Sequence, residues 1–137
     1  MEVQIFSRAQ FMSELLKKKC IPCEKGNTKP MALGEVSDMM ADIPGWNVVL
    51  ENDPEGPKAH IGARISREYK FKDFIGAVDF VERVADIAEG EMHHPDIHIF
   101  YNKVVLELYT HAINGLSEND FIVAAKVDAQ CLLGFNK

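Results

Sequence analysis

The sequence predicts an α+β fold: an antiparallel four-stranded sheet with helices packed on one face, in a single domain. Apolar and polar residues alternate in two pairs of short segments, each pair separated by turn residues, which is the pattern of hairpins rather than of parallel strands. A long amphipathic segment lies between the pairs, where it can cover the sheet they form. A further helical stretch follows the last strand, so the predicted order is α, α, β, β, α, β, β, α, with no internal repeat and no low-complexity segment.

The first helix is predicted from about Arg8 to Lys19, with Ser7 as N-cap and Phe11, Met12, Leu15 and Leu16 near helical spacing. Cys20-Ile21-Pro22-Cys23 breaks it, and the polar stretch from Glu24 to Pro30 reads as a linker. Residues 1–32 are thus read as an N-terminal helix and turn-rich arm, and residues 33–137 as the main domain. A short helix from about Glu35 to Asp42 stops before Pro44-Gly45. Trp46, Val48 and Leu50 then alternate as one strand, and Asp53-Pro54-Glu55-Gly56-Pro57 turns the chain. Its partner is read from Ala59, Ile61, Ala63 and Ile65, which alternate with His60, Gly62, Arg64 and Ser66. From Lys72 to about Glu89, an apolar face of Phe74, Ala77, Val78, Val81, Val84, Ala85 and Ala88 opposes Asp79, Glu82, Arg83 and Asp86. Ile97 to Tyr101 and Val104 to Thr110 are strands around Asn102-Lys103, and Ser117 to about Leu132 is the last helix.

At 137 residues and 47% hydrophobic content, the chain can bury a core without disulfides or metals. Its net charge of −6 and pI near 5.3 oppose a nucleic-acid surface, which needs clustered Lys and Arg to displace counterions. The short run Lys17 to Lys19 reads as a solvated helix end. No segment approaches the roughly 18 consecutive apolar residues of a membrane span, and the N-terminus lacks the apolar core of a signal peptide. The expectation is a cytoplasmic protein without membrane or nucleic-acid partners. Three cysteines, an odd number, give no disulfide framework and suit a reducing compartment.

Titratable residues concentrate in one stretch: Glu89, His93-His94-Pro95, Tyr101, His111 and Asp120. Histidine exchanges protons near neutral pH, so the cluster points to acid/base chemistry or to a metal. Pro95 disfavours the α conformation at His94, which presents the pair on a stiff corner after the long helix. Strand parity puts His111 on the face of Tyr109, Glu107 and Val105, opposite Leu108, Leu106 and Val104. Each residue also has an ordinary structural reading. Ser117-Glu118-Asn119-Asp120 has the form of a capping box at a helix start, Glu89 suits a solvated helix end, and Tyr101 and Trp46 suit core aromatics. His60 and His98 read as partly exposed strand residues. Spacing alone leaves a catalytic cluster and coincidence equally open.

The full pattern Glu89-x3-His93-His94-Pro95-x5-Tyr101-x9-His111-x8-Asp120 resembles the signature of the pterin-4a-carbinolamine dehydratase family. Neighbouring text agrees: Pro44-Gly45-Trp46, Tyr69-Lys70-Phe71-Lys72-Asp73-Phe74, Tyr101-Asn102-Lys103-Val104 and Gly115-Leu116-Ser117-Glu118-Asn119-Asp120. The resemblance runs from about Leu33 to Leu132 and does not clearly cover residues 1–19. It implies dehydration of a 4a-hydroxytetrahydropterin to the quinonoid dihydropterin, in recycling of the cofactor of aromatic amino acid hydroxylases, with no metal and no redox cofactor. By resemblance, His93, His94 and His111 are the acid/base residues, and Glu89 and Asp120 support them by fixing imidazole tautomers. The implied substrate contacts are His93, His94, Pro95, Thr110, His111, Ala112 and Ile113, with Trp46 as an apolar wall. A homodimer or homotetramer built by helix contacts and sheet extension is implied too, and the apolar last helix, with Phe121, Ile122, Ala125, Val127 and Leu132, is compatible with it.

Two other readings compete. A zinc or iron site could use the same histidines, but there is no His-x3-His on one helix face. Cys20-x2-Cys23 has the spacing of half a zinc knuckle, yet no second pair follows and Cys131 is distant. Animal members of the family also serve as dimerisation cofactors of a transcription factor, so an interaction module is the rival of a different class, and the N-terminal arm leaves room for a protein partner.

Overall fold

A computed structural model describes residues 14–21, 29–50 and 62–130. The predicted start of the first helix, residues 22–28 of the break and linker, the Asp53–Pro57 turn, Ala59 to Ile61, Cys131 and Leu132 lie outside the described residues. Residues 14–17 are helical, and Leu15 belongs to the core at 3% exposure. Helix α1 (Leu33–Met40) starts and ends two residues earlier than expected, and turns through residues 41–45 bury Ile43 completely. Strands β1 (Asn47–Val49), β2 (Arg64–Lys70), β3 (Asp96–Phe100) and β4 (Lys103–Leu108) form one antiparallel sheet in the order β1-β2-β4-β3. The α+β class and the single antiparallel sheet are as the sequence predicts.

Register explains which face is covered. Ile65 pairs with Leu108, Tyr69 with Val104 and Ile97 with Leu106, so these side chains share one side of the pleat. Val104, Leu106 and Leu108 are fully buried there, while Val105, Glu107 and Tyr109 are half-buried on the other side. Helix α2 (Phe74–Glu91) packs on β3, β4 and the last helix, α3 (Glu118–Gln130).

Several local expectations are corrected. Strand β2 runs on to Lys70, where Arg67 and Glu68 interrupt the apolar alternation. Arg67 lies on the inward parity with Ile65 and Tyr69 because a buried acid awaits it: its Nη1 donates to Asp128 Oδ1 at 3.1 Å. Tyr69 Oη donates to the same oxygen at 2.6 Å, and Trp46 Nε1 donates to Asp128 Oδ2 at 2.9 Å. Burial pushes the Asp128 carboxyl above its ordinary range, although Tyr69, Arg67 and Trp46 oppose that shift.

The buried face of α2 is Ala77, Phe80, Val84 and Ala88, so Phe74 and Ala85 are exposed, against expectation, and Phe80 is central. Its ring lies 4.7 Å from that of Tyr69 and 4.9 Å from that of Phe71, which sets the rotation of the helix. Asp73 caps the helix by accepting the Gly76 N–H at 2.8 Å. Helix α3 is buried nearly all round, with Phe121, Ile122, Ala125 and Val127 at 2% exposure or less. These residues fill the chain's own core. Tyr101 is 67% exposed at a left-handed position of the β3–β4 turn and is no core aromatic. No helix among the described residues is long and apolar enough to cross a membrane.

Candidate active site

The end of α2, the residues after β4 and the start of α3 meet around a cleft of about 690 Å³. Helix α2 ends at Met92, whose N–H bonds the carbonyls of Ala88 and Glu89, and the His93 N–H also turns back onto the Ala88 carbonyl at 3.2 Å. That closed terminus aims His93 and His94 into the cleft. After β4 the chain does not continue as a strand to Thr110. Thr110 bridges to Gly115, and His111–Ile113 form a single 3-10 turn, so the strand-parity argument for His111 ends at Leu108. The turn places Thr110, His111 and Ala112 on the cleft wall, with the His111 ring 4.1 Å from that of Tyr109.

The most constrained imidazole is His93. Its Nε2 lies 2.6 Å from Asp120 Oδ1, with the histidine side chain 11% exposed and the aspartate side chain fully buried. The second carboxylate oxygen accepts the Thr110 hydroxyl at 2.9 Å and the Ser117 N–H at 3.0 Å. Thr110 has spent its one hydroxyl proton on Asp120, so the 2.7 Å contact between Thr110 Oγ1 and Ser117 Oγ is donated by Ser117. A carboxylate only accepts, which places the His93 proton on Nε2 and leaves the Nδ1 lone pair in the neutral ring.

Asp120 makes one of the two bonds of a capping box and also pairs with His93. It reaches back to the Ser117 N–H as a capping-box acid does, while the Ser117 hydroxyl is turned to Thr110 instead of to the Asp120 N–H. His94 Nε2 lies 3.3 Å from Glu89 Oε2, with both side chains more than half exposed, so solvent screens that pair.

Of the residues expected at the site, His93, His94, Thr110, His111 and Ala112 line the cleft and Asp120 stands directly behind His93. Glu89 touches the cleft only through His94, and Pro95, Ile113 and Tyr101 are not on its wall. Trp46 is not there either: it is 5% exposed, and its indole N–H is committed to Asp128. Among the described residues no group of three His, Cys, Asp or Glu side chains is arranged to hold a metal ion.

Sequence reading missed the wall that comes from the N-terminal arm. Lys19, Cys20 and Ile21 line the cleft together with Glu91, Met92 and Asn119. The Asn119 side chain accepts the Ile21 N–H at 3.0 Å and donates to the Ile21 carbonyl at 2.6 Å, as a neighbouring strand would. Glu91 Oε2 accepts the Cys20 N–H at 2.8 Å, and Glu91 Oε1 takes the Lys126 ammonium. Burial pushes the Glu91 carboxyl up, but the Cys20 N–H and Lys126 outweigh it and hold it below its ordinary range. The Cys20 thiol is pushed up to about 12 by burial and by the Glu91 carboxylate, which leaves little thiolate to act as a nucleophile at neutral pH. Asn119 lies inside the quoted Gly115–Asp120 stretch, so its neighbourhood was visible. No local pattern announces that residues 19–21 dock about a hundred positions away.

An antiparallel sheet packed with helices, and a cleft lined by His93, His94 and His111 with the buried Asp120 bonded to His93, define the class: a small α+β protein with a ligand-sized, titratable cleft. Residues 29–130 match the family model described as pterin 4 alpha carbinolamine dehydratase. The chain belongs to the pterin-4-alpha-carbinolamine dehydratase family, whose name denotes a hydro-lyase. It is 40% identical over 118 residues to pterin-4-alpha-carbinolamine dehydratase 2, mitochondrial, of Arabidopsis thaliana, covering 85% of this chain and 59% of that protein. A relative from Rubrobacter xylanophilus is 40% identical over 117 residues, covering 85% of this chain and 98% of its own length. The crystal structure of a transcriptional coactivator/pterin dehydratase from Brucella melitensis superposes with a TM-score of 0.62 at 33% identity, covering 74% of this chain and 97% of that one.

Proposed function

We propose that the protein dehydrates a 4a-hydroxytetrahydropterin to the quinonoid dihydropterin and water, using imidazoles as acid and base, within pterin cofactor recycling. The observation that carries this reading is the His93–Asp120 pair at 2.6 Å, buried behind a cleft that His94 and His111 also line. In the reaction the C4a–O bond breaks, the departing hydroxyl takes up a proton to leave as water, and N5 gives up its proton as the C4a–N5 double bond forms. His93 is the base for the N5 proton: its Nδ1 lone pair is available, and Asp120 stabilises the imidazolium that results. His111, exposed on its turn and able to exchange with solvent, delivers the proton to the hydroxyl in its imidazolium form. His94 binds the ring, and the backbone of His111 and Ala112, on the cleft wall, supplies donors and acceptors for its polar edge.

His111→Ala tests this directly. The variant is expected to fold normally, since the ring it loses is exposed, and to lose about 10²-fold or more in the rate of pterin dehydration. The substrate also dehydrates unaided, so the quantity to measure is acceleration over that background, and unchanged acceleration removes His111 from the mechanism. Copies of the chain are expected to associate through the sheet edges, where Ile99, Phe100 and Tyr101 on one side and Val48, Val49 and Leu50 on the other are exposed apolar residues.

A further inference from the structure

Two side chains on the cleft wall stand out for a reason unrelated to acid/base chemistry. Met92 and Ile21, at 77% and 74% exposure, are the most exposed large apolar side chains among the described residues, and both line this cleft. Apolar surface left in water is unfavourable in proportion to its area, and exposed apolar groups beside a few convergent polar ones are the usual composition of a small-molecule site.

The fold also spends stability to keep them there. Met92 closes α2 at φ 52° and ψ 37°, the left-handed conformation that glycine adopts without strain and a methionine does not. Ile21 is held by both of its backbone polar groups on the Asn119 side chain, and the preceding residue is tied to Glu91. A strained, exposed methionine at a helix end and an exposed isoleucine clasped at two points share a single rationale if something flat fits against them.

We propose that Ile21 and Met92 are the apolar grips of the cleft, holding the two-ring face of the pterin against the imidazoles, and that Asn119 positions Ile21. The proposal rests on the pterin reading of the cleft. A thioether packs well against an aromatic face, and a branched aliphatic chain gives a stiff second contact. Neither side chain moves a proton, so both contribute equally to the bound substrate and the transition state. Their loss therefore raises KM and leaves kcat nearly as it was.

The test uses Met92→Gly, Ile21→Ser and Asn119→Ala, read by steady-state dehydration kinetics and by equilibrium titration with an oxidised pterin followed by its fluorescence. Met92→Gly relieves the left-handed strain, so its thermal midpoint is expected to equal or exceed that of the parent while KM rises about three- to tenfold. A purely structural role for Met92 cannot produce that opposition. Ile21→Ser is expected to raise KM by a similar factor, and Ile21→Leu to restore it. Asn119→Ala should reproduce the Ile21→Ser effect and add nothing to it in the double variant, because both act through one contact. Unchanged KM and unchanged pterin affinity in Met92→Gly and Ile21→Ser overturn the grips while leaving the dehydratase reading intact. A parent protein that binds pterin through these side chains but does not accelerate dehydration sustains the grips and refutes the activity. Absence of pterin binding refutes both.

Discussion

Asp120→Asn separates the orientation of His93 from every other property of the cleft. Asp120 is fully buried and accepts three donors, two on Oδ2 from Thr110 and Ser117 and one on Oδ1 from His93. An asparagine keeps the two Oδ2 bonds if its carbonyl oxygen takes that side, which turns its NH2 toward His93. Two donors cannot face each other, so the imidazole must move its proton to Nδ1 and accept on Nε2. The atom offered to the pterin then changes from an acceptor to a donor, and the base is lost without any change of shape. Removing the partner of a functional histidine costs about 10- to 100-fold, and removing general base catalysis about 10²- to 10⁴-fold. A fall of about 10²-fold in kcat is therefore expected, equivalent to about 2.7 kcal/mol at 1.36 kcal/mol per tenfold.

The hydrogen-bond count is preserved and only the charge-assisted strength of the buried bonds is lost, so the stability cost is about 1–2 kcal/mol. For a domain of this size that lowers the thermal midpoint by about 3–8 °C, leaving the protein folded at assay temperature. Dehydration above background gives kcat, and nitrogen-detected NMR of the imidazole reads the His93 tautomer. Wild-type activity in Asp120→Asn, or a His93 ring that keeps its proton on Nε2, refutes the assignment of this pair.

Other consequences follow from groups away from the reacting atoms. Tyr69→Phe removes the 2.6 Å bond to Asp128 in the core and is expected to destabilise the fold by about 1.5–3 kcal/mol in denaturant titration with kcat retained; loss of kcat in fully folded protein would contradict the separation of that network from the cleft. Glu91 is held below its ordinary value of 4.5, so the stability it lends the arm is fully present above that pH and is lost as pH falls through the depressed folded value. Hydrogen exchange of the Cys20 amide, corrected for its intrinsic rate, should lose protection in that acid window, and protection that is flat there counts against the clasp. Cys20, with its thiol pushed up to about 12, is expected to react with iodoacetamide at neutral pH more slowly than a free thiol and to speed up in Asn119→Ala; equal rates in the two proteins would show that Asn119 does not hold the arm.

Much of this molecule was legible in one dimension. Hairpin alternation and the amphipathic 72–89 stretch carried the sheet and its covering helix, because burial of one face imposes a period that survives in any sequence. The histidines were legible as a cluster because His93, His94 and His111 are close in sequence to the α2 terminus and the Thr110–Gly115 turn, which meet at one cleft. Where the sequence misled, a long-range partner overrode the local signal. Arg67 looked like the end of a strand pattern because its acid, Asp128, is sixty-one positions away. The rotation of α2 depended on Phe80 finding Tyr69 and Phe71.

By itself, the sequence determined the fold class, the family and the clustering of His93, His94 and His111, since periodicity and residue chemistry are local properties of the chain. Only the tertiary structure decided which carboxylate backs which imidazole, that Trp46 serves the core rather than the cleft, and that Lys19, Cys20 and Ile21 complete the wall. Those outcomes are set by donors and acceptors that must be satisfied on burial, and a chain satisfies them with whatever the fold brings near, at any separation in sequence.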